Sequence, residues 1–170
     1  EHLFRPGMNV ADLGSAPGSW TQIVRERLTD KYGELKGRIV AMDILPMEPI
    51  DGVTFLQGDF REQEVADKLN EILAGDKLDV VISDMAPNLS GIAMVDANAS
   101  LLLNELALEF AVEHLKPEGV FVTKAFQGSG YSQFIENCKR HFVSVAQRKP
   151  AASRDSSAEM YVVARRLKAK

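Results

Sequence analysis

Long hydrophobic runs are missing from this 170-residue chain. A bilayer crossing needs roughly 18 or more apolar residues in succession. The best candidate, LLLNELALEFAVEHL, is broken by Asn104, Glu105, Glu109 and Glu113. No membrane association is expected, and no signal peptide is recognisable. Cysteine occurs once, as Cys138, which excludes an internal disulfide framework and suits a reducing compartment, so a cytoplasmic location is expected. The glycine patterns that cradle phosphates are absent too: no G-x-G-x-x-G follows the first apolar run and no G-K-[S/T] occurs anywhere. A nicotinamide dinucleotide or a nucleoside triphosphate is therefore disfavoured. The first residue is Glu1 and not methionine, from which an upstream segment is expected.

What is present is the composition of a soluble globular domain, 45% hydrophobic and 26% charged. A chain this long buries a substantial core as one domain spanning residues 1–170. The net charge of −4 argues weakly against nucleic acid, but its distribution argues the other way. From Cys138 onward nine cations, among them Lys139, Arg140, Arg148, Lys149, Arg154, Arg165 and Lys168, face only Asp155 and Glu159. Such asymmetry is expected where phosphates dock on one face.

Apolar β-rich runs alternate with helical periods. Strands are expected at 9–13, 38–42, 53–57, 80–83, 120–125, 143–147 and 161–164, and helices at 20–29, 62–73, 98–114 and 132–141. Near-continuous apolar strands indicate a parallel sheet covered on both faces, and the alternation indicates a doubly wound α/β fold. "KPEG" (116–119) is read as ending the third helix. No helix separates the last two strands, so they are expected to pair as an antiparallel edge.

In such sheets ligands bind beyond the carboxyl ends of the strands. The first strand runs into DLGSAPGSW (12–20), the second into Asp43, the third into Gly58-Asp59-Phe60, the fourth into SDMAPN (83–88), and the fifth into Lys124. Gly14 and Gly18 permit close approach to backbone and a positive φ. Asp43 suits the hydroxyl pair of a ribose and Asp59 an adenine amino group, or both are turn-forming aspartates at strand ends. Trp20 suits either a cofactor contact or packing on the sheet. A nucleoside with an amino-acid tail and no phosphates, such as S-adenosylmethionine, satisfies the set. Lys124 interrupts GVFVTKAF, a position costly for an ammonium unless it reaches a carboxylate or a polar cleft, and Asp84 is expected on the neighbouring strand.

Together DLGSAPGSW, MDILPMEPIDGVTFLQGDF, SDMAPNLSG, VTKAFQGSG and RKPAASRDSSAEMYVVA resemble the FtsJ/RrmJ-type ribosomal RNA large-subunit 2′-O-ribose methyltransferases, over essentially the whole chain. The resemblance implies a Rossmann-like class I fold with a seven-stranded, mostly parallel sheet, S-adenosylmethionine as cofactor, and the large ribosomal subunit as partner. The implied target is a uridine of the 23S A loop. It places Asp84, Lys124 and Glu159 on three members of a Lys–Asp–Lys–Glu tetrad, and Gly18, Trp20, Asp43, Asp59 and Asp84 on cofactor-contacting positions. The tetrad's first lysine has no counterpart here, because Lys31 and Lys36 lie after the first helix. Weak turnover and an incomplete RNA platform are expected from that. No metal and a monomeric state are expected.

A ribose hydroxyl is a poor nucleophile until its proton is leaving, so positioning and proton relief dominate. Lys124 is either the base or the group that orients the hydroxyl and stabilises developing negative charge, and the family reading favours the base. Arg148, Lys149 and Arg154 are expected to contact phosphates. Tyr131 and Phe126 are candidates to stack on an extruded base, with Phe126 better suited to packing. Rival readings are a base-amino or small-molecule methyltransferase, disfavoured because the DMAPN rim lacks the aromatic of [N/D]PP[Y/F], and a catalytically weak RNA-binding assembly module.

Overall fold

Central strands that are apolar on alternate residues toward both faces must be covered by helices on both, and the computed structural model shows that arrangement. It describes residues 3–87, 90–150 and 159–169. The elements are β1 (Asn9–Leu13), α1 (Ser19–Leu28), β2 (Arg38–Asp43), β3 (Val53–Gln57), α2 (Gln63–Leu73), β4 (Leu78–Ser83), α3 (Ala93–His114), β5 (Leu115–Phe126), α4 (Tyr131–His141), β6 (Phe142–Arg148) and β7 (Glu159–Leu167). One seven-stranded sheet has the order β3-β2-β1-β4-β5-β7-β6. Pairs among β1 to β5 are parallel, and β7 runs antiparallel to both β5 and β6. The doubly wound sheet and its antiparallel margin are as expected.

On one face Val10, Ile39, Val80 and Ile82 pack with Val24 and Leu28 of α1. On the other, Ala11, Leu13, Val40, Met42, Val81 and Phe121 meet α2, α3 and α4. Helix α2 shows the cause plainly: Val65, Leu69 and Leu73, four residues apart, are its buried positions, each contributing about 1.5–3 kcal/mol by burial. Because α1 covers one face and α3 the other, the chain leaves the adjacent strands β1 and β4 toward opposite faces, the switch point of such sheets.

The starts of α3 and β5 depart furthest from expectation. Helix α3 begins at Ala93, not at residue 98; its first residues are mostly exposed, so they carry no apolar period. That start is held instead by Asp96, which accepts hydrogen bonds from the backbone N–H and hydroxyl of Ser90 and from the Gly91 N–H, in the first turn where the helix dipole favours an anion. The KPEG segment follows the end of the helix, as expected, but is itself strand. The helix ends at His114 and Lys116–Gly119 already belongs to β5, where the β4–β5 register shifts, an irregularity that tolerates proline.

Candidate active site

The glycine-rich turn after β1 is built by backbone demand. Gly14 has φ +78°, and a Cβ there would stand 2.6 Å from the Asp84 carbonyl oxygen and 2.8 Å from Met85 Cα. The residue is glycine because the β1 and β4 rims touch at this point. Gly18, with φ +118°, precedes α1 and faces the side-chain tips of Ile50 and Met47. Asp43 braces the turn: its Oδ2 accepts from the Ala16 N–H at 2.8 Å and its Oδ1 from the Leu45 N–H at 2.9 Å.

Beyond this turn lies a cleft of about 560 Å³, bordered by Gly14, Ala16, Asp43, Asp59, Arg61 and Asp84 with apolar walls from Phe60, Met85 and Leu103. The size and the apolar lining with few polar groups are those of a small-molecule site. The fold thus brings Gly14, Asp43, Asp59 and Asp84 to one cleft. Asp59 is occupied, however: its two oxygens accept from the Arg61 guanidinium, the shorter contact being 2.7 Å. That bonding holds its carboxyl below the usual range. Gly18 and Trp20 do not border the cleft. Trp20 lies beside Tyr161 instead.

Lys124 and Asp84 meet. The Lys124 Nζ is 2.7 Å from Asp84 Oδ1, with both side chains about three-quarters buried. The approach is that of an ion pair and not of a well-directed hydrogen bond, since buried Oδ1 receives no aligned donor among the described residues. Burial works against the ammonium, but Asp84, then Glu159 and Tyr161, outweigh it and hold the lysine above its ordinary pKa. Lys124 is thus charged at neutral pH in the free protein. The strand does not end there; it continues to Phe126, which pairs with Glu159.

Sequence reasoning missed Tyr161. Lys124 lies opposite Tyr161 in the β5–β7 ladder, and Tyr161 lies opposite Arg148 in the β7–β6 ladder. Directly paired residues share a face, so Lys124, Tyr161 and Arg148 form a row across three strands, with Asp84 beside its inner end. Burial raises the tyrosine pKa, and Asp84 and Glu159 add to this. Asp12 is the second omission. It is 1% exposed and accepts from Thr21 Oγ1 at 2.7 Å. Burial, together with the charges of Asp84 and Asp43, pushes its carboxyl up to about 6.

The cations do not share one face. Arg148 sits at the outer end of the row that begins at Lys124. Arg165 pairs with Ser144 and Val120 near the opposite end of the sheet, and the Lys168 N–H reaches the His141 carbonyl at the end of α4. Asymmetry along the sequence was divided by the antiparallel return of β7. Arg154 lies outside the described residues. The Tyr131 hydroxyl donates to Gln147 Oε1 at 2.6 Å. Among the described residues, no group of three or more His, Cys, Asp or Glu side chains could hold a metal ion, and no helix is long and apolar enough to cross a membrane.

The model of the FtsJ-like methyltransferases matches residues 1–167. The chain belongs to the FtsJ-like methyltransferase family. A ribosomal RNA large subunit methyltransferase E of Bordetella pertussis is 55% identical over 168 residues, covering 99% of this chain and 80% of the relative. Its counterpart from Cupriavidus necator is 54% identical over 177 residues, with the same coverage. Among solved structures, a Plasmodium falciparum protein assigned to the ribosomal RNA methyltransferases has a TM-score of 0.82 at 28% identity, covering 96% of this chain and 88% of that one. A Streptococcus mutans methyltransferase-like structure in complex with SAH, 13% identical with a TM-score of 0.62, covers 98% and 93% and shares the fold. Within the family, the Lys124–Asp84 pair at the cleft wall is the feature on which chemistry can be built.

Proposed function

We propose that this chain transfers a methyl group from S-adenosylmethionine to the 2′-hydroxyl of a ribose in large-subunit ribosomal RNA, with a uridine of the A loop as target and the cytoplasm as its place of work. The observation that carries the reading is the Lys124 ammonium, 2.7 Å from Asp84 at the edge of a nucleoside-sized cleft. The names of the 54–55% identical relatives support the ribosomal RNA substrate. The lack of an aromatic after Asp84-Met85-Ala86-Pro87 favours a ribose over a base amino group.

The cleft fits the cofactor by its donor set. Asp43 stands at the end of β2 where a ribose is held in such folds, and Phe60, Met85 and Leu103 supply apolar walls. Asp43 and Asp84 lie close enough to Asp12 to raise its charging cost, so the region favours a cation. When bound, S-adenosylmethionine supplies an electrophilic methyl group on a positively charged sulfur. The chain supplies the rest. Asp84 fixes the Lys124 ammonium, and Glu159 adds to the field that keeps it charged. In that state Lys124 donates to the ribose oxygen, orients it and stabilises negative charge as the proton leaves. A second cation nearby lowers a lysine's pKa, so the loaded site moves Lys124 toward a form that accepts the proton itself. Arg148, opposite Tyr161 in the β6–β7 ladder, and the next residue Lys149 are the proposed phosphate contacts, with Arg154 as a third.

Labelled methyl transfer to large-subunit RNA, with the modified nucleotide mapped, tests this reading. Lys124→Ala is expected to lower turnover by about 10²–10⁴-fold, the range for one proton-transfer group, while cofactor affinity stays within a few-fold. Wild-type turnover in that variant removes Lys124 from the chemistry. Lys124→Arg separates the two roles, since a guanidinium keeps the charge but cannot act as base.

A further inference from the structure

On a different side of α3 from the nucleoside cleft, a second cavity of about 350 Å³ opens between this helix and the loop joining β5 to α4. Its lining includes Ser100, Leu101, Asn104, Phe126 and Tyr131. Asn104 is the unusual member. It is only 7% exposed, its Oδ1 accepts from the Thr123 hydroxyl at 3.4 Å, and its amide Nδ2 donates no hydrogen bond among the described residues. The amide nitrogen is not sealed in the core, so it is available to donate to something the cavity receives.

We propose that the cavity receives an unstacked base of the substrate RNA and that the Asn104 amide donates to a ring carbonyl of that base. This rests on the ribosomal RNA methyltransferase reading above and names the part of the substrate held beside the reacting ribose. Three observations carry it. Phe126 is a wall common to both sites: it lines the cavity, and its ring centre is 5.9 Å from Lys124 Nζ. A base in the cavity is therefore separated from a ribose at Lys124 by one aromatic side chain. Phe126 and Tyr131 offer ring faces on which any base stacks, and the Tyr131 ring is held by its hydroxyl bond to Gln147. No lysine or arginine among the described residues lines the cavity, whereas Asp96 does, so a phosphate is disfavoured and a neutral base fits. Single-stranded RNA is read in this way, by stacking plus hydrogen bonds to base edges.

The test uses Ser100→Phe, which fills the cavity from a half-buried position, and Asn104→Ala, which removes the amide. For each, cofactor affinity is measured by calorimetry, and methyl transfer is followed on ribosomal RNA and on synthetic RNAs with one abasic site stepped through the nucleotides flanking the methylated ribose. Both variants are expected to raise KM for RNA about tenfold, the scale of one hydrogen-bonded base edge, with cofactor affinity unchanged. At one flanking position the abasic RNA is expected to lose affinity for the wild-type chain but not for Ser100→Phe. A Ser100→Phe variant with wild-type KM and the same abasic profile overturns the base cavity and leaves the methyltransferase reading standing. A wild-type chain that methylates no ribosomal RNA overturns that reading first, and the cavity's role with it.

Discussion

Asp12→Asn should make the protein more stable, and only above about pH 4. The wild-type carboxyl is buried behind the glycine turn with its pKa pushed from 3.8 up to about 6, chiefly by burial, against which the Thr21 hydrogen bond acts, and further by Asp84 and Asp43. In the unfolded chain the group titrates at its ordinary value. The folded state thus holds the proton more tightly, and the stability linked to this group is complete below about pH 4, declines as pH rises, and is lost above pH 6. A shift of about 2 units at about 1.4 kcal/mol each is about 3 kcal/mol. Asparagine removes the charge and keeps an acceptor for Thr21, whose bond to the carboxylate is already contained in the net shift. The net gain at pH 7.5 is then about 3 kcal/mol. With a urea slope of about 2 kcal/mol/M, the unfolding midpoint should rise by about 1.5 M at pH 7.5 and by almost nothing at pH 4. Equal midpoints at pH 7.5, or the same increment at both pH values, would refute the reasoning, the second because a pH-independent gain owes nothing to the proton.

Three further outcomes follow from the same geometry. Gly14→Ala combines a left-handed backbone, about 1–2 kcal/mol, with a Cβ forced on the β4 rim, about 1–3 kcal/mol more, so Tm in a thermal melt should fall by at least about 5 °C; an unchanged melt would mean that the two rims separate freely. Arg61→Ala frees both Asp59 oxygens and should tighten adenosine binding a few-fold by calorimetry, whereas weaker binding would make Arg61 itself a ligand-holding group. RNA affinity should fall steeply with salt, and replacing Arg148 and Lys149 by alanine should flatten the log–log slope by about 1 for each phosphate left without its cation. An unchanged slope would move the phosphate path elsewhere.

Legibility in the sequence followed the range of the physics. Strand positions 9–13 and 53–57 were readable because side-chain alternation and turn residues are local signals, and the rim aspartates were readable because strand ends in a doubly wound sheet share one edge. Lys124 stood out because an ammonium in an apolar run needs a partner, and Asp84 is that partner at 2.7 Å. The start of α3 was illegible because exposed residues impose no period. Gly14 was readable as a point of close backbone approach, but not that the β4 rim is what approaches it, since that neighbour is 70 residues further along the chain at Asp84.

Tyr161 and Asp12 were out of reach for a different reason. Nothing local to Tyr161 distinguishes it from any aromatic in a strand; it joins the site only because β7 inserts between β5 and β6 and sets Lys124, Tyr161 and Arg148 in register. Sliding β7 by one residue would turn its whole inner face outward and take Glu159 and Tyr161 away from the lysine together. The antiparallel return is thus what assembles the charge field that keeps Lys124 protonated in the free protein. That ties the catalytic state of one strand to the pairing of another whose sequence lies 35 residues away from it at Glu159. Site and fold are specified by the same ladder, which is why the chemistry of this lysine could be suspected from its neighbours in sequence but its charge state only from its neighbours in space.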